Sequence, residues 1–342
     1  MEYCHICTYT QQLYLITALG HTVAYMSRDV LIDNIISMLL DAGFIVSERC
    51  VIRPKSFDIA ARREDQIFLI KVLGNVDAFN RDTGMAMQNL GIHLSAKPLV
   101  ISLHTRDKKL EPGVVYLRHG VPVISPDTAY DLFVEEIPPL IYAAPGGLYV
   151  PIDGDYLSKV RGELKWSLGK LAMILGVSRR TVSKYESGMD ASIEVAIRLE
   201  ELFGPRVTVP IDIFNQDSAK TGVDYVENKQ ETTRYGDEMI DALTRFGFIV
   251  HPTDRAPFQT VSEHSSDANR VLITGHSQLT KTAIKRAKIM GSIGYVTKTQ
   301  SIYFVDSNVK QKYVEETILI GKNEIESLDG PEAFNELLRE KM

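Results

Sequence analysis

No part of the chain restricts its fold more than residues 168–188, LGKLAMILGVSRRTVSKYESG. Leu171, Ala172 and Leu175 recur at helical spacing before Gly176, and Val182 and Tyr185 do so after Ser178. Ser167 and Ser178 stand just ahead of these runs, where a hydroxyl can accept from an unpaired N–H of a first helical turn. Gly176 tolerates the left-handed backbone that a tight inter-helix turn requires. The spacing predicts one helix over Leu168–Leu175 and a second opening at Arg179, packed together through Val177, Val182 and Tyr185. Arg179, Arg180, Ser183 and Lys184 are left facing outward.

That is the pattern of a helix-turn-helix, whose second helix enters the DNA major groove by its N-terminal end. Arginine suits bidentate contact with guanine O6 and N7, while Lys and Ser serve phosphates and bases. The candidate DNA contacts are Ser167, Lys170, Ser178, Arg179, Arg180, Thr181, Ser183 and Lys184. A net charge of −6 over 342 residues argues against a chain that coats nucleic acid everywhere, but what DNA feels is the local field. From Lys159 to Lys184 the balance is basic: Lys159, Arg161, Lys165, Lys170, Arg179, Arg180 and Lys184 stand against Glu163 alone. Two more helices complete an all-α bundle. One spans Tyr156 to Lys165, with Leu157, Val160 and Leu164 on one face; the other is SIEVAIRLEELFG, with Ile193, Ala196, Leu199, Leu202 and Phe203 turned inward. The competing reading is a helical bundle whose charges are merely solvated.

On either side the pattern changes. MSRDVLIDNIISMLLDAGF carries an apolar stripe of Val30, Leu31, Ile35, Met38, Leu39 and Ala42, stopped by Gly43. Strand-like runs follow in SFDIAAR, QIFLIKV, PLVIS, GVVYL and VPVI, with helices expected in FNRDTGMAMQNLGIHL and PDTAYDLF. Helices alternating with apolar strands indicate an α/β sheet domain. Pro145-Gly146-Gly147 marks a hairpin leading out of it. The expected organisation is a leader over 1–25, an α/β domain over 26–150 and a helix-turn-helix domain over 151–215, its motif at 167–186. A polar linker over 216–234 and a second, smaller α/β domain over 235–342 complete it. The leader lacks Lys and Arg and helical periodicity begins after Met26, so Met26 is expected to be the natural start.

The two flanks look like one repeat. MLLDAGFIV (38–46) is answered by ALTRFGFIV (242–250), KSFDIAARREDQIFLIKV by APFQTVSEHSSDANRVLITG, and MAMQNLG (85–91) by KRAKIMG (285–291). The order helix, strand, strand, helix, strand is common to both, which suggests a duplicated domain; chance likeness of two α/β segments is the alternative.

No catalytic site, metal or cofactor is expected. Cys4, Cys7 and Cys50 form no disulfide framework and suit a reducing, cytoplasmic setting. The CHIC pair lacks the second pair of a closed zinc site. A phosphate-cradling glycine loop, a G-x-S-x-G elbow and H-E-x-x-H are all absent from the sequence, and His93, His104 and His119 are scattered. Asp58 and Lys71 in FDIAARREDQIFLIKV resemble the PD-(D/E)xK nuclease pattern, in which an Asp and an acid two residues before the Lys hold Mg²⁺. Here that acid is Leu69, and one carboxylate holds a hard divalent cation poorly. In the second flank Gln259 and Thr274 stand at the matching places. The expectation is a nuclease-like scaffold without its chemistry, with Asp58 either solvated and paired to Lys71 or Arg62, or serving the DNA backbone. A working nuclease or repair enzyme is the alternative function.

The segment around 167–186 resembles the Cro/lambda-repressor type of helix-turn-helix. From Met26 onward, including ILIGKNEIESL, the chain resembles an archaeal family of HTH-type transcriptional regulators that carry this module between two α/β parts. Such modules often begin the second bundle helix with a Gln that touches a phosphate; this chain has Leu168. The resemblance implies a sequence-specific DNA-binding regulator. Its expected partners are double-stranded DNA, a second copy of itself as a homodimer, and the basal transcription machinery, with no membrane.

Overall fold

The computed structural model describes residues 27–213, 237–308 and 311–341. The leader expected over 1–25 and the linker expected over 216–234 lie outside these residues.

The first unit opens with α1 (Arg28–Asp41), capped by the Ser27 hydroxyl, which accepts from Val30 N–H. Leu31, Ile32, Ile35 and Leu39 are buried along it, while Val30, expected in that stripe, is exposed. Then come β1 (Ile45–Val46), β2 (Ile59–Arg63), β3 (Gln66–Asn75), α2 (Arg81–His93), β4 (Lys97–His104), β5 (Val114–Arg118), β6 (Val121–Ile124) and α3 (Pro126–Phe133). β1, β2 and β3 run antiparallel, and α2 is the crossover that makes β4 parallel to β3. Alternation along β3 sends Phe68, Ile70 and Val72 toward α1 and α3, and Ile67, Leu69 and Leu73 toward α2.

The sheet does not end there. A hairpin of β7 (Ile141–Ala144) and β8 (Gly147–Val150), turned at Pro145-Gly146, pairs back onto β5. β8 then pairs with β9 (Ala191–Ser192), which lies within the helical segment. The strand order is β1-β2-β3-β4-β6-β5-β7-β8-β9. A boundary at 150 therefore coincides with no break in hydrogen bonding.

The helical segment comprises α4 (Gly154–Glu163), α5 (Leu168–Leu175), α6 (Arg179–Glu186) and α7 (Ile193–Phe203). The second α/β unit runs α8 (Asp237–Arg245), β10 (Phe248–Pro252), β11 (Thr260–His264), β12 (Asp267–Ser277), α9 (Lys281–Thr297), β13 (Gln300–Val305), β14 (Tyr313–Val314), β15 (Thr317–Gly321), α10 (Lys322–Glu326) and α11 (Pro331–Lys341). Its order, β10-β11-β12-β13-β15-β14, repeats that of β1 to β6 strand for strand, with the same parallel and antiparallel pairings.

Sheet register corrects the repeat in detail. Asp58 N–H donates to Ile70 O and Gln259 N–H to Thr274 O, so Thr274 answers Ile70, and Gly275 answers Lys71. In agreement, Lys71 lies opposite Val100 on β4, and Gly275 opposite Tyr303 on β13. The hairpin between β11 and β12 carries a register shift at Glu263/His264, which sequence alignment did not register. The helix echo also slides. A Cβ on Gly91 would stand 2.5 Å from Ala96 O, and one on Gly294 2.7 Å from Thr299 O, which makes Gly294 the counterpart of Gly91, not Gly291.

The inner faces of the two sheets meet. One apolar cluster joins Phe57, Leu69, Met87, Leu90 and Val100 of the first unit to Phe258, Val261, Ile273, Met290 and Ile293 of the second. Backbone groups tie the seam: Ser56 N–H donates to Arg255 O (2.7 Å), and Arg62 Nε to Val296 O (2.8 Å). Lys298–Asp65 and Lys288–Glu48 bridge its exposed rim, where ion pairs add little. Replacing Phe258, fully buried in this layer, with Ala is expected to cost about 3–5 kcal/mol. Urea unfolding followed by far-UV circular dichroism should show that loss in a single transition; early release of one unit alone would contradict a shared core.

Candidate nucleic-acid interface

α5 and α6 form as their sequence predicts. Ser167 Oγ accepts from Lys170 N–H and Ser178 Oγ from Thr181 N–H, each at 3.1 Å. Gly176 between them has φ +71°, the left-handed turn. Leu171, Ala172, Leu175, Val182 and Tyr185 are buried, and Val177 and Leu168 pack against them. Leu168, which stands where a phosphate-touching Gln is usual, thus serves the core. Arg198 of α7 closes the C-terminal end of α5 by donating to Leu175 O at 2.8 Å.

Two expectations about the flanking helices fail. Leu164 and Leu202 are exposed, whereas Glu200 is buried and accepts from the Thr208 hydroxyl at 2.7 Å. The helices bury their apolar side against the sheet as well as each other, through Val114, Ile141, Val150 and Ile152. Pairing of Tyr149 with Ser192 and Val150 with Ala191 welds the module to the sheet, and the Tyr142 hydroxyl donates to Asp190 at 2.6 Å. Burial and the Asp190 carboxylate push the Tyr142 phenol up, so it stays protonated and keeps this bond.

Ser167, Lys170, Ser178, Arg179, Arg180, Ser183 and Lys184 are all exposed, and Thr181 is half-buried. The guanidinium of Arg179 lies over the first turn of α5, where a Cβ on Gly169 would stand 2.7 Å from its Nε. This brings Arg179 of α6 beside the Ser167 and Lys170 end of α5. Lys170 Nζ sits 4.5 Å from the Trp166 ring centroid. Ser178 and Thr181 hydroxyls hydrogen-bond each other at 2.8 Å, which leaves them less free than the sequence implied. No carboxylate among the described residues holds Lys170, Arg179, Arg180 or Lys184 in an ion pair. Arg161 is different. It donates to both Glu186 oxygens and to Trp166 O, clamping α4 to α6, and Glu186 raises its pKa further. Arg161 therefore leaves the basic face and becomes part of the frame.

The nuclease-like pattern is assembled, but for packing. Asp58 is wholly buried just ahead of β2, not solvated. Its carboxylate accepts from Arg28 Nη2 (2.7 Å to each oxygen), from Lys55 Nζ (2.7 Å) and from Val72 N–H (2.9 Å). Arg62 is not a partner, since its Nε serves Val296 O. Burial alone would raise the Asp58 carboxyl, but Lys71 and Lys55 outweigh it and hold the group below the ordinary carboxylate range. Burial pushes the Lys71 ammonium down to about 8, against the pull of Asp58. Leu69 is buried in the shared core. These residues do not fit a divalent cation: the second acid is missing, and two cationic side chains occupy the carboxylate that remains. In the second unit Gln259 replaces Asp58 and still accepts a strand N–H, from His276 at 2.7 Å. The Tyr303 ring lies 2.6 Å from where a Cβ on Gly275 would stand, so no Lys71 equivalent has room.

A cluster that the sequence scattered lies elsewhere. His93 on α2 meets His251 on β10 and Glu263 on β11, with His93 Nδ1 2.7 Å from Glu263 Oε1 and the two rings stacked at 3.9 Å. Burial and the neighbouring His93 lower the pKa of His251, against Glu263. No sequence signal marks the trio, since its members are distant in the chain.

The architecture is that of a helix-turn-helix module built onto a nuclease-like scaffold, and comparison with known proteins agrees. Residues 28–139 match the PD-(D/E)XK superfamily domain and residues 157–206 the helix-turn-helix domain. A protein of Natronomonas pharaonis, provisionally named an HTH-type transcriptional regulatory protein, is 56% identical over 317 residues, 92% of this chain and 99% of its own length. Proteins of the same name from Halorubrum lacusprofundi (53% identical) and Methanosarcina mazei (42%) each match 92% of this chain and 98% of their own. The chain belongs to this family of HTH-type transcriptional regulatory proteins. No solved structure matches it.

Lys71 supplies a test of the buried charge cluster. Its folded pKa of about 8 lies below its ordinary 10.5, so between those values the unfolded chain binds the extra proton and stability rises with pH. Below about 8 the ammonium is charged in both states and the slope vanishes. Lys71→Met should abolish this rise, read as the urea midpoint on either side of about 8.

Proposed function

We propose that this protein is a sequence-specific, DNA-binding transcriptional regulator that reads the major groove with α6. The observation that carries this reading is the exposed Arg179, Arg180, Ser183 and Lys184 face of α6, set beside Ser167 and Lys170 on α5 and free of described carboxylate partners. Arg179 and Arg180 lie at the N-terminal end of α6, where a recognition helix meets base edges. Ser167 and Ser178 use their oxygens as caps, which leaves the hydroxyl proton of Ser167 for a phosphate. Lys170 and Lys184 supply the sequence-independent attraction. The names of the relatives support the same assignment.

The protein acts by occupancy as a homodimer on two half-sites about one helical turn apart, blocking or assisting the basal transcription machinery. No helix among the described residues is long and apolar enough to cross a membrane, in keeping with work in the cytoplasm. It is not an enzyme on this reading. Asp58 is held by Arg28 and Lys55, and Leu69 removes the second acid.

The Arg179→Ala, Arg180→Ala double variant is expected to lose about 1–3 kcal/mol for each specific base contact, measured by DNA-binding titration. Unchanged affinity would reject α6 as the recognition helix. Selection from the organism's fragmented genomic DNA, at physiological salt with Mg²⁺ present, should retain intact fragments sharing a two-fold motif. Shortened fragments, with the shortening lost in Asp58→Ala, would instead establish a nuclease.

A further inference from the structure

The described residues hold one place where groups able to ligate a metal converge from both α/β units. His93 comes from the end of α2, His251 from β10 and Glu263 from β11, and their ligand atoms all lie within 4.8 Å of one another. We propose that these three side chains bind one divalent transition-metal ion of the zinc class, which staples the first unit to the second.

The donor set favours that class. Imidazole nitrogen suits zinc, copper and nickel, whereas magnesium and calcium want oxygen ligands throughout. Two imidazoles and one carboxylate are a known three-ligand arrangement for tetrahedral zinc, with water at the fourth position. Bonds of about 2.0–2.1 Å at tetrahedral angles set ligand atoms roughly 3.4 Å apart. The observed separations straddle that spacing: Glu263 Oε1 is 2.7 Å from His93 Nδ1 and 3.8 Å from His251 Nε2. The side chains of His93, His251 and Glu263 are 25%, 32% and 33% exposed, so an ion can enter and a water can complete its shell. No Lys or Arg among the described residues pairs with the Glu263 carboxylate; the two histidine rings are what it faces.

Capture asks for one adjustment. Imidazole lone pairs lie in the ring plane, and the rings now stack with an interplanar angle of 22°. They must turn apart about their side-chain torsions to aim both nitrogens at one point, which partial exposure allows. Nor does the cluster come from the repeat itself. Val296 answers His93 and Arg62 answers Glu263; there Arg62 Nε simply donates to Val296 O at 2.8 Å. The two related corners of the seam are thus closed differently, one by a hydrogen bond and one by a ligand set.

Cobalt(II) titration of the full-length protein, followed by visible absorption, tests this. The expected result is one equivalent bound with the d–d bands of a tetrahedral nitrogen and oxygen site, displaced by Zn²⁺. Binding should weaken at least tenfold in His93→Ala, in His251→Ala and in the near-isosteric Glu263→Gln, each shown folded by circular dichroism. Zn²⁺ should also raise the thermal midpoint of the parent but not of these variants. Absence of cobalt binding would overturn the proposal. So would sulfur-to-metal charge-transfer bands that survive His93→Ala, since these would assign the ion to Cys4 and Cys7.

Discussion

The exclusion of water between the two inner sheet faces governs the rest of this structure. Each unit covers its outer face with its own helices, α1 and α3 in one and α8 and α11 in the other. On the inner face each has a single crossover helix, and the apolar surface left over is closed by the partner unit. Carrying both units in one chain makes that closure intramolecular. The same layer accounts for the altered nuclease pattern. Leu69 points into it, where an acid would give up those apolar contacts and bring a charge into the layer. At this position packing and metal chemistry are alternatives, and the chain has packing.

The fate of Asp58 follows from that choice. A lone buried carboxylate is costly unless it is paired and hydrogen-bonded. Arg28 from α1, Lys55 from the preceding loop and the Val72 N–H of β3 all converge on it, so it now pins α1 and that loop to the sheet. Gln259 in the second unit retains the hydrogen bond to the strand without the charge. At both positions the side chain holds a strand.

The helix-turn-helix is the other dependent part. β9 and the apolar residues of β7 and β8 attach its helices to the first sheet. The presentation of α6 is therefore set by the sheet.

Periodicity and capping chemistry are local, and what depends on them was legible in the sequence. α5 begins and ends where its Ser and Gly place it, α6 opens at its Ser cap, and the alternation of helices and strands marked two related α/β units. Long-range contacts decided the remainder. Arg161 counted as one of a basic row until Glu186 met it across the module. Leu202 looked core-facing, yet it is exposed once the helices pack on the sheet. A shifted hairpin register, which no residue pattern announces, moved the counterpart of Lys71 from Thr274 to Gly275. His93, His251 and Glu263 carry no shared signal in the chain; only the meeting of two sheets brings them within reach. The sequence by itself determined which elements form and which side of each is apolar. Only tertiary structure decided which polar groups meet, because those encounters depend on how elements distant in the chain are packed.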